Sequence, residues 1–133
     1  MHILVSGVDL IEIYRIQKAV SRYGQRFLKR IYTDQEVTYS QGRAPQLASR
    51  FAAKEAVMKA LGTGARGLSW KEIEVVRENG MAPSIHLHGR AQARANRMGI
   101  SQISLSLSHS KSHAVAFVVC QSLSDNTIPL GDQ

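Results

Sequence analysis

The chain has 133 residues, 44% hydrophobic and 20% charged, enough apolar content for one domain with a real core and too much for wholesale disorder. Seventeen Lys and Arg against ten Asp and Glu give a net charge of +7, which favours an anionic partner such as nucleic acid, phosphate or an acidic protein. No apolar run approaches the ~18 residues of a membrane span, the N-terminus Met1-His2-Ile3-Leu4-Val5 lacks the features of a signal peptide, and Cys120 has no partner for an internal disulfide. A cytoplasmic protein is the expectation.

The first strand is predicted over about residues 2 to 8, giving way at Gly7-Val8-Asp9-Leu10-Ile11-Glu12 to a helix over about 12 to 30. Ile16, Val20, Tyr23, Phe27 and Ile31 would make its apolar face. Arg15, Lys18, Arg22, Arg26 and Lys29 form a second stripe, with Gly24 as a point of interruption or kink. Most charged faces are only solvated, but no acid neutralises this row, and like charges at three- and four-residue spacing cost stability. A surface for an acidic helix explains tolerating them. Thr33 and Glu36 match a capping box that starts a short helix, broken by Gln41-Gly42-Arg43-Ala44-Pro45.

Arg50-Phe51-Ala52-Ala53-Lys54-Glu55-Ala56-Val57-Met58-Lys59-Ala60-Leu61 reads as a helix apolar almost all round that carries three cations and one carboxylate. An uncompensated charge there costs several kcal/mol, so Glu55 needs a cation or a metal. Asp9 is the best second carboxylate. Two acids from separate elements suit a hard cation such as Mg²⁺, which keeps waters and is completed by substrate phosphates. Phosphoryl transfer follows as a reaction class, with Arg50, Lys54, Lys59 and Arg43 as phosphate-holding cations; Lys59 has the alternative of an ion pair with Glu55.

Past the glycine-rich Gly62 to Gly67, which lacks P-loop spacing, Ile73 to Arg77 and Ser84 to His88 read as a hairpin. His86 and His88 share a strand face, but no third metal ligand accompanies them. Arg90 to Met98 is a helix ended by Gly99. Ile103, Leu105 and Leu107 alternate with Ser104, Ser106 and Ser108 in a half-buried strand, and Ala114 to Cys120 reads as a central strand holding a buried thiol. His109 sits at the rim between them. One domain over 1–120 and a polar, flexible tail over 121–133 complete the reading.

Gly7-Val8-Asp9-Leu10-Ile11-Glu12-Ile13-Tyr14-Arg15-Ile16, Arg50-Phe51-Ala52-Ala53-Lys54-Glu55-Ala56 and Ser106-Leu107-Ser108-His109-Ser110 together resemble the holo-acyl-carrier-protein synthases of the 4'-phosphopantetheinyl transferase superfamily. The resemblance implies a compact α+β fold, an antiparallel sheet packed with helices, and an enzyme that moves the phosphopantetheine arm of coenzyme A onto a serine of apo acyl carrier protein. It implies Mg²⁺ on Asp9 and Glu55, with Lys59 beside the reacting phosphate and either Lys59 or Glu55, through a water, as base. Arg50, Lys54, Lys59, Gly80, Pro83 and His109 become coenzyme A contacts, although the turn Asn79-Gly80-Met81-Ala82-Pro83 is one residue longer than the family's. Arg15, Lys18, Arg22 and Arg26 become the dock for acidic acyl carrier protein, and a homotrimer with sites between subunits is expected. The competing classes are a basic nucleic-acid-binding domain, for which 6% aromatic content offers no stacking platform, and an inactive scaffold that docks acyl carrier protein.

Overall fold

The computed structural model describes residues 2–64, 67–78 and 80–122. In chain order the elements are β1 (Leu4–Glu12), α1 (Ile13–Tyr23), α2 (Gln25–Ile31), α3 (Asp34–Ser40), α4 (Ala44–Ala60), a 3-10 turn (Trp70–Glu72), β2 (Ile73–Val76), β3 (Ser84–Leu87), α5 (Gly89–Met98), β4 (Gln102–His109) and β5 (His113–Gln121). The fold is α+β. Both sheets are antiparallel: a three-stranded one ordered β1-β5-β4 and a separate β2-β3 hairpin. Among the described residues no helix is long and apolar enough to cross a membrane.

β1 runs further than its apolar start predicted, because residues 8 to 12 continue the two-residue alternation. Gly7, Asp9 and Ile11 face inward, Val8 and Leu10 outward, and the whole strand pairs with β5, Asp9 opposite Ala116. Asp9 thus projects from a strand and not from a strand-to-helix turn. The expected helix over 12 to 30 is two helices, parted at Gly24, whose φ of 55° suits a residue without Cβ. Ile16 and Ile31 are buried as the periodicity predicted, while Tyr23, next to the break, is exposed.

The Thr33 capping box forms: its Oγ1 accepts from Glu36 N at 3.2 Å and its own N–H donates to Glu36 Oε1 at 2.8 Å. Gln41 in the left-handed region ends α3, and Pro45 in the first turn of α4 starts that helix six residues before the predicted Arg50. Eleven of the seventeen α4 residues are buried, which makes it the central helix, packed on the inner face of the β1-β5-β4 sheet. Glycine at position 7 permits the approach: a Cβ there would lie 1.9 Å from Ala56 O. β4, β5 and α5 form as read, and Cys120 is a buried free thiol. Gln121, expected in the tail, belongs to β5, and Ser122 exchanges hydrogen bonds with Ile3. The remainder of the expected tail, 123–133, lies outside the described residues.

Candidate active site

Strand β1 and helix α4 bring Asp9, Glu55 and Lys59 to one rim. Lys59 Nζ donates to Asp9 Oδ1 at 3.1 Å and to Val8 O at 2.8 Å, so its partner is Asp9 rather than Glu55 one turn earlier. Glu55 lies near Asp9, both lining the same cavity, and feels its charge. Burial, then the Asp9 charge, push the Glu55 carboxyl above its ordinary value, against the downward pull of Lys59 and Arg15. The cavity here, about 240 Å³, is lined by these two acids and Arg15 together with apolar residues that include Ile16, Phe27 and Phe51. Two neighbouring carboxylates that repel one another are a donor set suited to a divalent cation, since the ion removes the repulsion.

The basic stripe stands next to this rim. Arg15, Lys18 and Arg22 are exposed on α1, and Arg26 and Lys29 on α2, so the stripe is two patches set by the Gly24 break and not one continuous row.

Lys54 is misplaced by the sequence reading. Its side chain is fully buried, with Nζ 2.8 Å from Glu36 Oε1 and donating to the carbonyls of Trp70 and Ile73. All three ammonium protons have partners inside the chain, so it is not available to coenzyme A. Arg50 is also buried, its guanidinium 4.3 Å from the Tyr39 ring, on the side of α4 that packs toward α3 and away from Asp9. Its Nε has no hydrogen-bond partner. His109 ends β4, separated from β1 by β5, roughly 10 Å across two strand spacings. Gly80, with φ of 76°, and Pro83 lie between β2 and β3, in the other sheet. Within one chain, then, Asp9, Glu55, Lys59 and Arg15 converge, and Arg50, Gly80, Pro83 and His109 stand apart.

Sequence reasoning missed Glu36. Its signal was present as the N3 position of the capping box, but only the fold reveals that the same carboxylate meets Lys54 and, at 2.8 Å, Val75 N. His88, set aside as a metal ligand, bonds Glu74 at 3.0 Å. No cluster of three or more His, Cys, Asp or Glu suited to a metal occurs among the described residues.

A small α+β fold whose central helix and first strand present two carboxylates and a lysine, flanked by exposed cations, defines a candidate phosphoryl-group transferase. The chain belongs to the 4'-phosphopantetheinyl transferase superfamily, whose family model matches residues 6–118. It is 52% identical over 123 residues to a holo-[acyl-carrier-protein] synthase of Herpetosiphon aurantiacus, covering 87% of this chain and 97% of that one. A holo-[acyl-carrier-protein] synthase of Dehalococcoides mccartyi is 49% identical over 118 residues, covering 89% and 98%. Among solved structures, the Helicobacter pylori holo-[acyl-carrier-protein] synthase in complex with coenzyme A superposes with a TM-score of 0.78 at 33% identity, covering 86% of this chain and 98% of that one.

Proposed function

We propose that this protein transfers the 4'-phosphopantetheine group of coenzyme A to a serine of apo acyl carrier protein, giving holo acyl carrier protein and adenosine 3',5'-bisphosphate, with Mg²⁺ held by Asp9 and Glu55. The observation that carries the reading is the convergence of Asp9, Glu55 and Lys59 at one rim, beside the exposed cations of α1. A non-catalytic nucleic-acid binder leaves that convergence without a purpose. Asp9 and Glu55 would hold the ion, which would supply neutralisation of the charge that develops on the phosphoryl group in transit.

The chain's own residues divide the remaining work. Asp9 is held through Oδ1 by Lys59 and stands near Glu55. Lys59 is half-exposed and already engaged as a donor, so its ammonium reaches phosphate oxygens at the rim. Glu55 is the acceptor of the two candidate bases and takes the serine proton through a water. Arg15, Lys18, Arg22 and Arg26 face the acidic carrier protein and steer its approach.

Arg50, Gly80, Pro83 and His109 stand apart from Asp9 within one chain, and a second copy that brings its own set to the Asp9 rim would complete the coenzyme A contacts. The outward face of the β1-β5-β4 sheet, with exposed Val8, Leu10 and Phe117, supports packing of copies into a homotrimer with sites between subunits. Intact mass of apo acyl carrier protein after incubation with this protein, coenzyme A and Mg²⁺ tests the function. A gain of one phosphopantetheine, absent with Asp9→Ala and abolished by EDTA, is expected. No gain across several carrier proteins sinks the reading, and a gain indifferent to EDTA sinks the metal.

A further inference from the structure

We infer that Glu36 and Lys54 are a positioning pair that fixes the rotation of α4 and thereby aims Glu55 and Lys59 at Asp9. The inference about their use in catalysis rests on the transferase reading above. Both side chains are fully buried, 2.8 Å apart, and every polar atom is used. Glu36 Oε1 also accepts from Thr33 N at 2.8 Å and Oε2 from Val75 N at 2.8 Å; Lys54 also donates to Trp70 O at 3.1 Å and to Ile73 O. One ion pair thus ties the start of α3, the 3-10 turn and β2 to a single point on α4.

Such a point adds to what apolar packing fixes. Five of the buried residues of α4, Ala48, Ala52, Ala53, Ala56 and Ala60, are small and similar, beside the larger Leu47, Val57 and Met58. Gly7 sets how near α4 comes to β1 but not at what angle. A buried, fully satisfied polar node distinguishes one helix setting from its neighbours, where a smooth apolar surface does not. Next in sequence to Lys54 is Glu55, and one turn before it Phe51 stacks on Trp70 with ring centroids 4.9 Å apart. Productive sites tolerate only about 10–20° of misorientation. Loss of the node therefore shows first in catalysis.

The test replaces the pair with apolar side chains of similar size, Glu36→Leu with Lys54→Met, since removing only one partner strands a buried charge and unfolds the chain for trivial reasons. Thermal midpoint, steady-state constants and the amide chemical shifts of Gly7, Asp9 and Glu55 are read together. Positioning gives a folded protein with a midpoint lowered by the loss of the acceptor for Thr33 N and Val75 N, displaced shifts at those three amides, and kcat lowered about tenfold to a hundredfold with KM for coenzyme A within about threefold. A folded variant with wild-type shifts and wild-type kcat overturns the inference. Should that pair fail to fold, Glu36→Gln with Lys54→Met keeps a hydrogen-bonding group opposite Val75 N, and the same outcomes decide. If the wild-type protein itself transfers nothing, the transferase reading fails, while the amide shifts still report whether the pair sets α4.

Discussion

Glu55 illustrates how one side chain is tuned by what the fold puts beside it. Desolvation and the Asp9 charge raise its carboxyl above the ordinary value, so the folded chain holds a proton that the unfolded chain has already released. In the window between the ordinary and the raised value the native state binds more protons than the unfolded state, and stability falls as pH rises through it. Without added metal, the thermal midpoint is expected to drop across that window in wild type. Glu55→Gln flattens this part of the profile, and a midpoint profile identical in both proteins contradicts the assignment. Sequence alone pointed to Glu55 and Asp9, because a carboxylate in an apolar helix demands compensation, and the fold sets both beside Lys59. It mis-assigned Lys54 by the same logic: a buried cation needs a partner as much as a buried anion does, and that partner, Glu36, is eighteen positions away on another helix. No local pattern reports such a pairing.

At the scale of elements, periodicity was legible and its limits were not. The strict alternation in β4 and the capping box at Thr33 are local signals, and both elements form as read. The junction of β1 and α1 was misread because Val8 to Glu12 satisfy either period until β5 is there to pair with them. Contact between β1 and α4 is likewise nonlocal, and it hangs on Gly7. Gly7→Ala places a methyl group 1.9 Å from the carbonyl oxygen of Ala56, backbone that cannot rotate away. The helix must lift from the strand, at a cost of about 1–3 kcal/mol. Because Asp9 lies on the same face of β1 two residues on, the lift also separates it from Glu55. The expected result is a lower thermal midpoint together with weaker Mn²⁺ binding by electron paramagnetic resonance. Unchanged Mn²⁺ affinity in the folded fraction of the variant would falsify the role given to this contact.

The whole molecule poses a different question, since one copy brings together only part of the proposed site. The inner face of the three-stranded sheet is covered by α4, but on the outer face Val8 is 52% exposed, Leu10 64% and Phe117 44%. Val8 is paired directly with Phe117, and Leu10 with Val115, so these side chains form one patch and not scattered surface residues. If copies meet through this face around a closed ring, Val8→Glu with Phe117→Glu converts a trimer to monomers in sedimentation velocity and abolishes transfer, although both side chains lie on the sheet face opposite to that of Asp9. Loss of activity alone is weak evidence, because any assembly defect produces it. Complementation is stronger: Asp9→Ala lacks the acid, His109→Ala lacks the proposed coenzyme A contact, and each homotrimer is expected to be impaired. Unfolded together and refolded as a mixture, they form some interfaces with an intact Asp9 from one copy and an intact His109 from its neighbour. Activity should then return to a fraction of wild type. A mixture no more active than the sum of its parents places the whole site within one chain, and the outward sheet face would then need another occupant.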